Sequence, residues 1–527
     1  MTPLGRYALQ QLTFNVVLKG FLPDKMKNTH TKCDYGWFKR DQIKSDLKRK
    51  SLQSGFYKVL TNGFSFMFSI ASTMVLARLL MPQEFGLLAM VIAVTEFARS
   101  FRELGLGTLT VQREEITHDE ISTLFWINLS FAIAIMIVLI CLAPVLVWFY
   151  GESRLFYICI VLSVVFLFGG LTVQHRALLE RQMKFGYLGI ITITSNLSGF
   201  FIAIMLALRG FGVWALVASE VVSAALFALG AWVFCRWIPG LPKLKIDLKS
   251  SLQFGTDISA YEIIQYFSRN IDRILIGRFY GANNLGLYAK TYQVAMMPVE
   301  QIRMVFWDIG LSPLSALQSD PSRFRNFYSR LLSIMSFIYM PIVVLLIMKP
   351  ENVILLLLGD NWVSAAPILR LIAIGGFFRP LVATFQLIMI SCNKTRRYLK
   401  WGSINGLIII IAFVIGISWG PIGIAYAYVL ASYISLIWSF FYCLHGTPVD
   451  INLIVKNINI PMLASWAAGI LLAIIPKHIY PTGTLQVIIS LVLVLMILYT
   501  GILVCIPRGK QQLVEFWYYG KELFIKT

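Results

Sequence analysis

Six ionisable residues, Asp257, Glu262, Arg269, Asp272, Arg273 and Arg278, fall inside one stretch, 254–279, that is otherwise apolar enough to cross a membrane. A charge at the centre of a membrane helix costs roughly 2.5–3.5 kcal/mol, while each Leu or Ile returns only about 0.5 kcal/mol. Such a helix must border protein or water. Glu262, Gln265, Arg269, Asp272 and Arg273 recur at helical spacing and share one face. One reading of that stripe is the wall of a hydrated cavity. The other is packing, with Arg269 and Asp272 paired to each other or to a neighbouring helix. Further charges embedded in apolar segments are Glu96, Glu220, Lys290, Glu300, Arg303, Asp308, Arg370 and Arg379. Arg370 and Arg379 share a segment that is otherwise apolar, and a planar guanidinium there can grip a phosphate, where a neutral sugar would need only hydrogen bonds.

The elements that carry these residues follow from hydropathy. The 527 residues are 57% hydrophobic and only 14% charged, with a mean hydropathy of +0.72, against roughly 45–50% and about 25% in soluble domains. Windows of about 20 residues, the length of a helix crossing the hydrocarbon core, give some fourteen spans: 56–79, 84–103, 122–149, 154–174, 186–208, 212–236, 254–279, 284–308, 327–348, 362–390, 399–419, 421–444, 457–476 and 484–506. The chain is predicted to be all-α, a polytopic helical bundle. Lys and Arg cluster before the first span and in every second loop, as in Lys394, Arg396, Arg397 and Lys400, and the opposite loops carry few. By the positive-inside rule both termini are cytoplasmic. The net charge of +20 reflects that bias, and nucleic-acid binding is not expected.

The chain also repeats itself. Leu76-Ala77-Arg78-Leu79-Leu80-Met81-Pro82-Gln83-Glu84-Phe85-Gly86-Leu87 returns as Ile276-Gly277-Arg278-Phe279-Tyr280-Gly281-Ala282-Asn283-Asn284-Leu285-Gly286-Leu287, an offset of 286 − 86 = 200. A second anchor pairs Gly210-Phe211-Gly212 with Gly420-Pro421-Ile422-Gly423, offset 423 − 212 = 211. Two parallel six-helix lobes are therefore expected, the form of a transporter built around a central site. The predicted divisions are a basic tail (1–50), a first lobe (51–240), a second lobe (241–446), two added helices (447–508) and an interfacial tail (509–527) anchored by Phe516-Trp517-Tyr518-Tyr519. Glu103 and Asp308 occupy matching places and are expected to pair with Arg102 and Arg303 at the cytoplasmic mouth. The copies diverge where Ser72 and Thr73 stand opposite Asp272 and Arg273, which singles out the seventh span.

Signatures of nucleotide, zinc-protease and serine-hydrolase chemistry are missing, and the five histidines are scattered singly. Seven cysteines, an odd number never spaced C-x-x-C, suggest small core residues in place of a disulfide framework or metal site. No cofactor is expected, and the chain is not expected to be an enzyme.

Ala77-Arg78-Leu79-Leu80-Met81-Pro82-Gln83-Glu84-Phe85-Gly86, Phe101-Arg102-Glu103-Leu104-Gly105-Leu106-Gly107, Leu124-Phe125-Trp126-Ile127-Asn128, Arg176-Ala177-Leu178-Leu179-Glu180-Arg181, Asn270-Ile271-Asp272-Arg273 and Leu358-Gly359-Asp360-Asn361-Trp362 resemble the bacterial polysaccharide exporters that include the Wzx-type lipid-linked oligosaccharide flippases. The similarity spans about residues 43–508, and the basic N-terminal tail departs from the family's usual short start. The resemblance implies the multidrug/oligosaccharidyl-lipid/polysaccharide exporter fold, MATE-like, with alternating access through a central cavity in the bacterial cytoplasmic membrane. It also implies a polyprenyl-diphosphate-linked oligosaccharide as substrate, with membrane lipids and polysaccharide polymerase or export machinery as partners. On that view Arg78, Arg269, Arg273, Arg278, Arg370 and Arg379 attract the diphosphate, and Glu262, Asp272 or Glu220 exchanges a proton or ion. The alternatives are an ion-coupled drug or metabolite antiporter of the same superfold, whose cationic cargo would want an acidic cavity, and a membrane glycosyltransferase or polymerase, which would need an extramembrane catalytic loop or an acidic metal site.

Overall fold

The computed structural model describes residues 47–102, 106–113, 116–242, 249–474, 484–506, 509–510 and 513–514. The tail before residue 47, Glu103 and the aromatic run 516–519 lie outside the described residues, as do the side chains of Arg102, Asp257 and Glu262. Among the described residues all regular structure is helical. The first half comprises α1 (Leu47–Leu79), α2 (Pro82–Arg102), α3 (Leu106–Gln112), α4 (His118–Tyr150), α5 (Leu155–Arg181), α6 (Phe185–Leu208) and α7 (Val213–Cys235). The second comprises α8 (Lys249–Ala316), α9 (Pro321–Met348), α10 (Pro350–Leu357), α11 (Ala366–Gly376), α12 (Arg379–Ser391), α13 (Thr395–Gly416) and α14 (Gly420–Leu444). Two more, α15 (Ile451–Ile474) and α16 (Thr484–Cys505), follow and pack on α9 and each other.

Each predicted span has a helical counterpart. Nine segments among the described residues are long and apolar enough to cross a membrane, one of them, Thr395–Leu444, comprising both α13 and α14; the two charged arms of α8 are not among the nine. Those arms are spans seven and eight. They meet at Gly281, whose φ of 77° and ψ of 178° leave the helical path, a conformation that a residue without Cβ adopts at little cost.

Local signals set other boundaries. Thr117 and Glu120 form a reciprocal capping box before α4, and Gly151, at φ 70°, closes it. The Asp320 carboxylate accepts from the Ser322 and Arg323 N–H groups at the start of α9, with Pro321 in the first turn. Span ten departs from the expectation of a continuous helix over 362–390. A 3₁₀ turn (Asp360–Ala365) leads into α11, and the chain breaks at Phe377 and Phe378 before α12 begins at Arg379-Pro380. Gly375 and Gly376 weaken the helix before the break, and Pro380 has no N–H to continue it. Broken backbone at membrane depth survives where it borders a cavity or buried protein.

The repeat is visible in three dimensions. Besides the two sequence anchors, the α5–α6 and α12–α13 turns match: Met183 and Asn393 both have φ 57°, and Lys184 and Lys394 donate back to the Leu179 and Met389 carbonyls at 2.9 and 2.8 Å. The most extensive contact between the lobes is α2 against α8. A Cβ on Gly86 would collide with the Ala282 carbonyl, and one on Gly286 with the Pro82 carbonyl. Pro82 and Ala282 are themselves repeat partners, offset 282 − 82 = 200. Each copy's glycine thus receives the other copy's backbone in a pseudo-two-fold crossing, the close approach that small residues permit between membrane helices.

Further bonds hold this Gly281 end shut. Trp362, fully buried, donates from Nε1 to the Ala77 carbonyl at 2.8 Å, and its ring meets Phe85 edge-on at 5.4 Å. Arg78 donates from Nη2 to the Leu356 carbonyl at 2.8 Å. Within the first lobe the Glu84 carboxylate accepts from Val213 N–H at 2.7 Å, tying the start of α2 to the start of α7. Replacing Gly86 or Gly286 with Val should destabilise the protein by about 1–3 kcal/mol through overpacking, read as a lower unfolding temperature in detergent. Gly55→Ala and Gly63→Ala, in the interior of α1 where nothing lies within 4 Å, should not lower it.

Candidate functional site

A cavity of about 530 Å³ opens inside the second lobe, walled by both arms of α8 and by α11 to α14. That volume is in the range of small-ligand sites. Its charged residues are Arg269, Asp272, Glu300, Arg303 and Arg379, three arginines against two carboxylates.

The break in span ten positions the central one. Because α12 starts at Arg379, the guanidinium leaves the first turn of a helix in the middle of the lobe. Its Nη1 donates to the Tyr292 and Tyr428 hydroxyls at 2.9 and 3.1 Å. Its Nε lies 3.5 Å from Glu300 Oε1, and the other oxygen of Glu300 accepts from Arg303 Nε at 2.6 Å. Glu300 is therefore shared between two arginines, and the phenols supply neutral partners. An anion entering here meets guanidinium groups whose charge is only partly answered.

Asp272 is 2% exposed. Its carboxylate accepts from the Arg273 N–H at 2.8 Å and from the Tyr288 hydroxyl at 2.9 Å, so it is held in place by α8 itself. Arg269 lines the cavity and donates from Nε to the Gln265 carbonyl at 3.1 Å. Arg273 stands behind this wall, its guanidinium 5.9 Å from the Tyr292 ring centroid and its buried Nε without a hydrogen-bond partner among the described residues.

The remaining sequence-derived candidates lie elsewhere. Arg78 belongs to the clasp at the Gly281 end. Arg278 is exposed, 5.6 Å from the Phe149 ring centroid. Arg370 donates to the Ile347 carbonyl at 3.1 Å and reaches Glu351 at 3.4 Å. Glu220 is exposed on α7 and is not part of the cavity wall. Arg303 pairs one turn back with Glu300, not with Asp308, which lies 3.8 Å from Lys58 of α1. The Glu300–Arg303 spacing of three was the available signal for that pair. Tyr292 and Tyr428 had none, since a tyrosine in an apolar helix reads as packing. A second cavity, about 430 Å³, sits in the first lobe between α3, α5 and α7, with the Arg176–Glu180 pair on its wall.

Residues 75–367 match the family model described as "Polysaccharide biosynthesis protein". The chain belongs to that family. Proteins similar to the chain include the teichuronic acid biosynthesis protein TuaB of Bacillus subtilis, 24% identical over 72% of this chain and 79% of the relative. The lipopolysaccharide biosynthesis protein WzxC of Escherichia coli is 26% identical over 75% and 81%. Among solved structures the fold is similar to the lipid II flippase MurJ in an inward closed conformation, with a TM-score of 0.68 at 15% identity over 85% of this chain and 98% of that one. It is also similar to an inward-facing MATE multidrug transporter, with a TM-score of 0.52 at 11% identity over 71% and 93%. The two-lobed form expected from the repeat and the MATE-like fold implied by the resemblance are both found in this chain.

Tyr288→Phe removes the hydroxyl that serves buried Asp272. It should cost about 1–3 kcal/mol, measured by denaturant or thermal unfolding in detergent. Tyr187→Phe, at an exposed ring, serves as the matched control.

Proposed function

We propose that this protein moves a polyprenyl-diphosphate-linked oligosaccharide across the bacterial cytoplasmic membrane by alternating access, and that the second-lobe cavity receives the diphosphate. The observation that carries the reading is Arg379, a guanidinium at the break of a membrane span, held by two phenols and half of a shared carboxylate. Arg269 and Arg303 on the same wall add two further cations. A diphosphate brings the charge and the acceptor oxygens that three guanidinium groups can use. The excess of arginine over carboxylate disfavours a cationic drug as cargo. Membership of a polysaccharide biosynthesis family supplies the sugar-bearing context, and relatives named for teichuronic acid and lipopolysaccharide biosynthesis agree with it.

In this reading the Gly281 end faces outward, as the distribution of Lys and Arg suggests, and is the shut gate. The cavity then belongs to the cytoplasmic-open half of the cycle. Arg273 stands in reserve behind Tyr292, and Asp272 or Glu300 is placed to exchange a proton when the diphosphate competes for the arginines. The protein transports and does not carry out covalent chemistry. Purified protein in liposomes should flip a polyprenyl-diphosphate-linked sugar. Arg269→Ala combined with Arg379→Ala should slow that rate at least tenfold, equivalent to about 1.4 kcal/mol. An unchanged rate in the double variant would exclude the cationic site.

A further inference from the structure

The first-lobe cavity is the repeat copy of the second. The turns closed by Lys184 and Lys394 fix the offset between α5 and α12 at 394 − 184 = 210. At that offset Val165, Phe168, Gly169, Thr172, Val173 and Arg176 of α5 stand for Gly375, Phe378, Arg379, Val382, Ala383 and Gln386. All of the first set line the first-lobe cavity, and the second set is everything that α11, α12 and the break between them give to the other. Ala224 of α7 matches Ser435 of α14 at the offset of 211 set by the second anchor, and both are wall residues. The pseudo-two-fold relation that exchanges Gly86 and Gly286 thus exchanges the two cavities.

The copies differ in charge. Gly169 stands where the second lobe has Arg379, and the guanidinium reappears at Arg176, 176 − 169 = 7 residues and about 10 Å further along the helix. There Nε donates to Glu180 Oε1 at 2.8 Å, and the counterpart of Glu180 is Ile390. One cation is answered by one carboxylate, so this cavity does not compete with three arginines for a diphosphate. The pair keeps capacity for neutral partners, since the Nη groups of Arg176 and the second oxygen of Glu180 have no hydrogen-bond partner among the described residues. Thr172, whose hydroxyl donates to the Phe168 carbonyl at 2.6 Å, keeps an acceptor, and Thr108 of α3 adds another hydroxyl. The rest of the wall is apolar and includes the rings of Phe168 and Phe227. A mostly apolar lining with a few polar groups is the make-up of a small-ligand site.

Of the three parts of the proposed cargo, the diphosphate belongs with the arginines of the second lobe. The prenyl chain gains little by leaving lipid for protein that is no more apolar. Sugars cannot cross in lipid, where each hydroxyl would go unpaired. Neighbouring sugar hydroxyls donate to a carboxylate and accept from a guanidinium together, and the C–H side of the ring packs on an aromatic face. We infer that the first-lobe cavity is a sugar-binding chamber, which takes hydroxyl-bearing sugars between the Arg176–Glu180 pair and the rings of Phe168 and Phe227 while the second lobe holds the diphosphate of the same molecule. The assignment rests on the proposed transport reaction and divides its cargo between the lobes.

The test uses full-length protein in liposomes with polyprenyl diphosphate, either bare or bearing a trisaccharide of one N-acetylhexosamine and two hexoses. Arg176→Leu with Glu180→Leu removes the pair and leaves no charge unanswered. It should lower the rate for the trisaccharide lipid, relative to that for the bare lipid, at least tenfold. An unchanged ratio overturns the inference. A second measurement needs no transport: Ala224→Cys, in a chain whose seven native cysteines are replaced by Ser, is labelled with a small maleimide in detergent. The trisaccharide lipid should slow labelling at least fivefold more than the bare lipid does, and equal labelling with the two lipids overturns the assignment. Where the bare lipid is not moved or the double leucine variant does not fold, the labelling decides. If wild type moves neither lipid, the transport reading fails, and the labelling still upholds or overturns the sugar site.

Discussion

The structure depends on one close contact, the crossing of α2 and α8 at Gly86 and Gly286. Neither glycine can accept a Cβ without displacing a carbonyl of the opposite lobe, so the distance between the lobes is set by backbone meeting backbone. Around that point the buried indole of Trp362, the guanidinium of Arg78 and the ring of Phe85 add directional bonds. In a bilayer the hydrophobic effect cannot draw two apolar lobes together, because lipid is as apolar as they are. Packing at contact distance and hydrogen bonds to main-chain carbonyls supply the attraction in its place.

Much of this was legible from the residues. The repeat places Gly86 and Gly286 in register, and hydropathy puts a helix under every span, although several helices run six to nine residues past the apolar window. Charge spacing in span seven pointed to α8, and Arg269 and Asp272 do line the cavity. The tertiary partners were not legible. Arg78, Arg278 and Arg370 look like Arg379 in sequence, each an arginine in or at the end of an apolar run. They differ in what lies opposite: a main-chain carbonyl, a phenylalanine ring or a glutamate in the first turn of α10 for the first three, and a pair of tyrosines from other helices for the fourth. No local pattern records a partner on another helix.

The break in span ten shows a related limit. Gly375, Gly376 and Pro380 are breaker residues, yet the hydropathy of 362–390 is continuous, and an apolar window reports burial without reporting backbone path. The break decides the chemistry, since it turns Arg379 from a mid-helix side chain into the first residue of a new helix. The left-handed turns at Met183 and Asn393 were equally silent. Different residues adopt the same unusual φ in the two lobes, so the repeat there is conserved in conformation and lost in letters.

The arm of α8 beyond Gly281 carries the seam and the site on one rod. Gly286 sits in the crossing with α2, Lys290 lies 4.7 Å from the Phe85 ring centroid of the other lobe, and Tyr292, Glu300 and Arg303 follow along the same helix into the cavity. The one departure from helical backbone angles is at Gly281, before all five, and Pro298 lies within the helix between Tyr292 and Glu300. The helix that meets α2 at the crossing thus also carries Tyr292 and Glu300 to Arg379. Seam and cavity wall share one helix, so a residue change that shifts the crossing at Gly286 is felt at the partners of Arg379 as well.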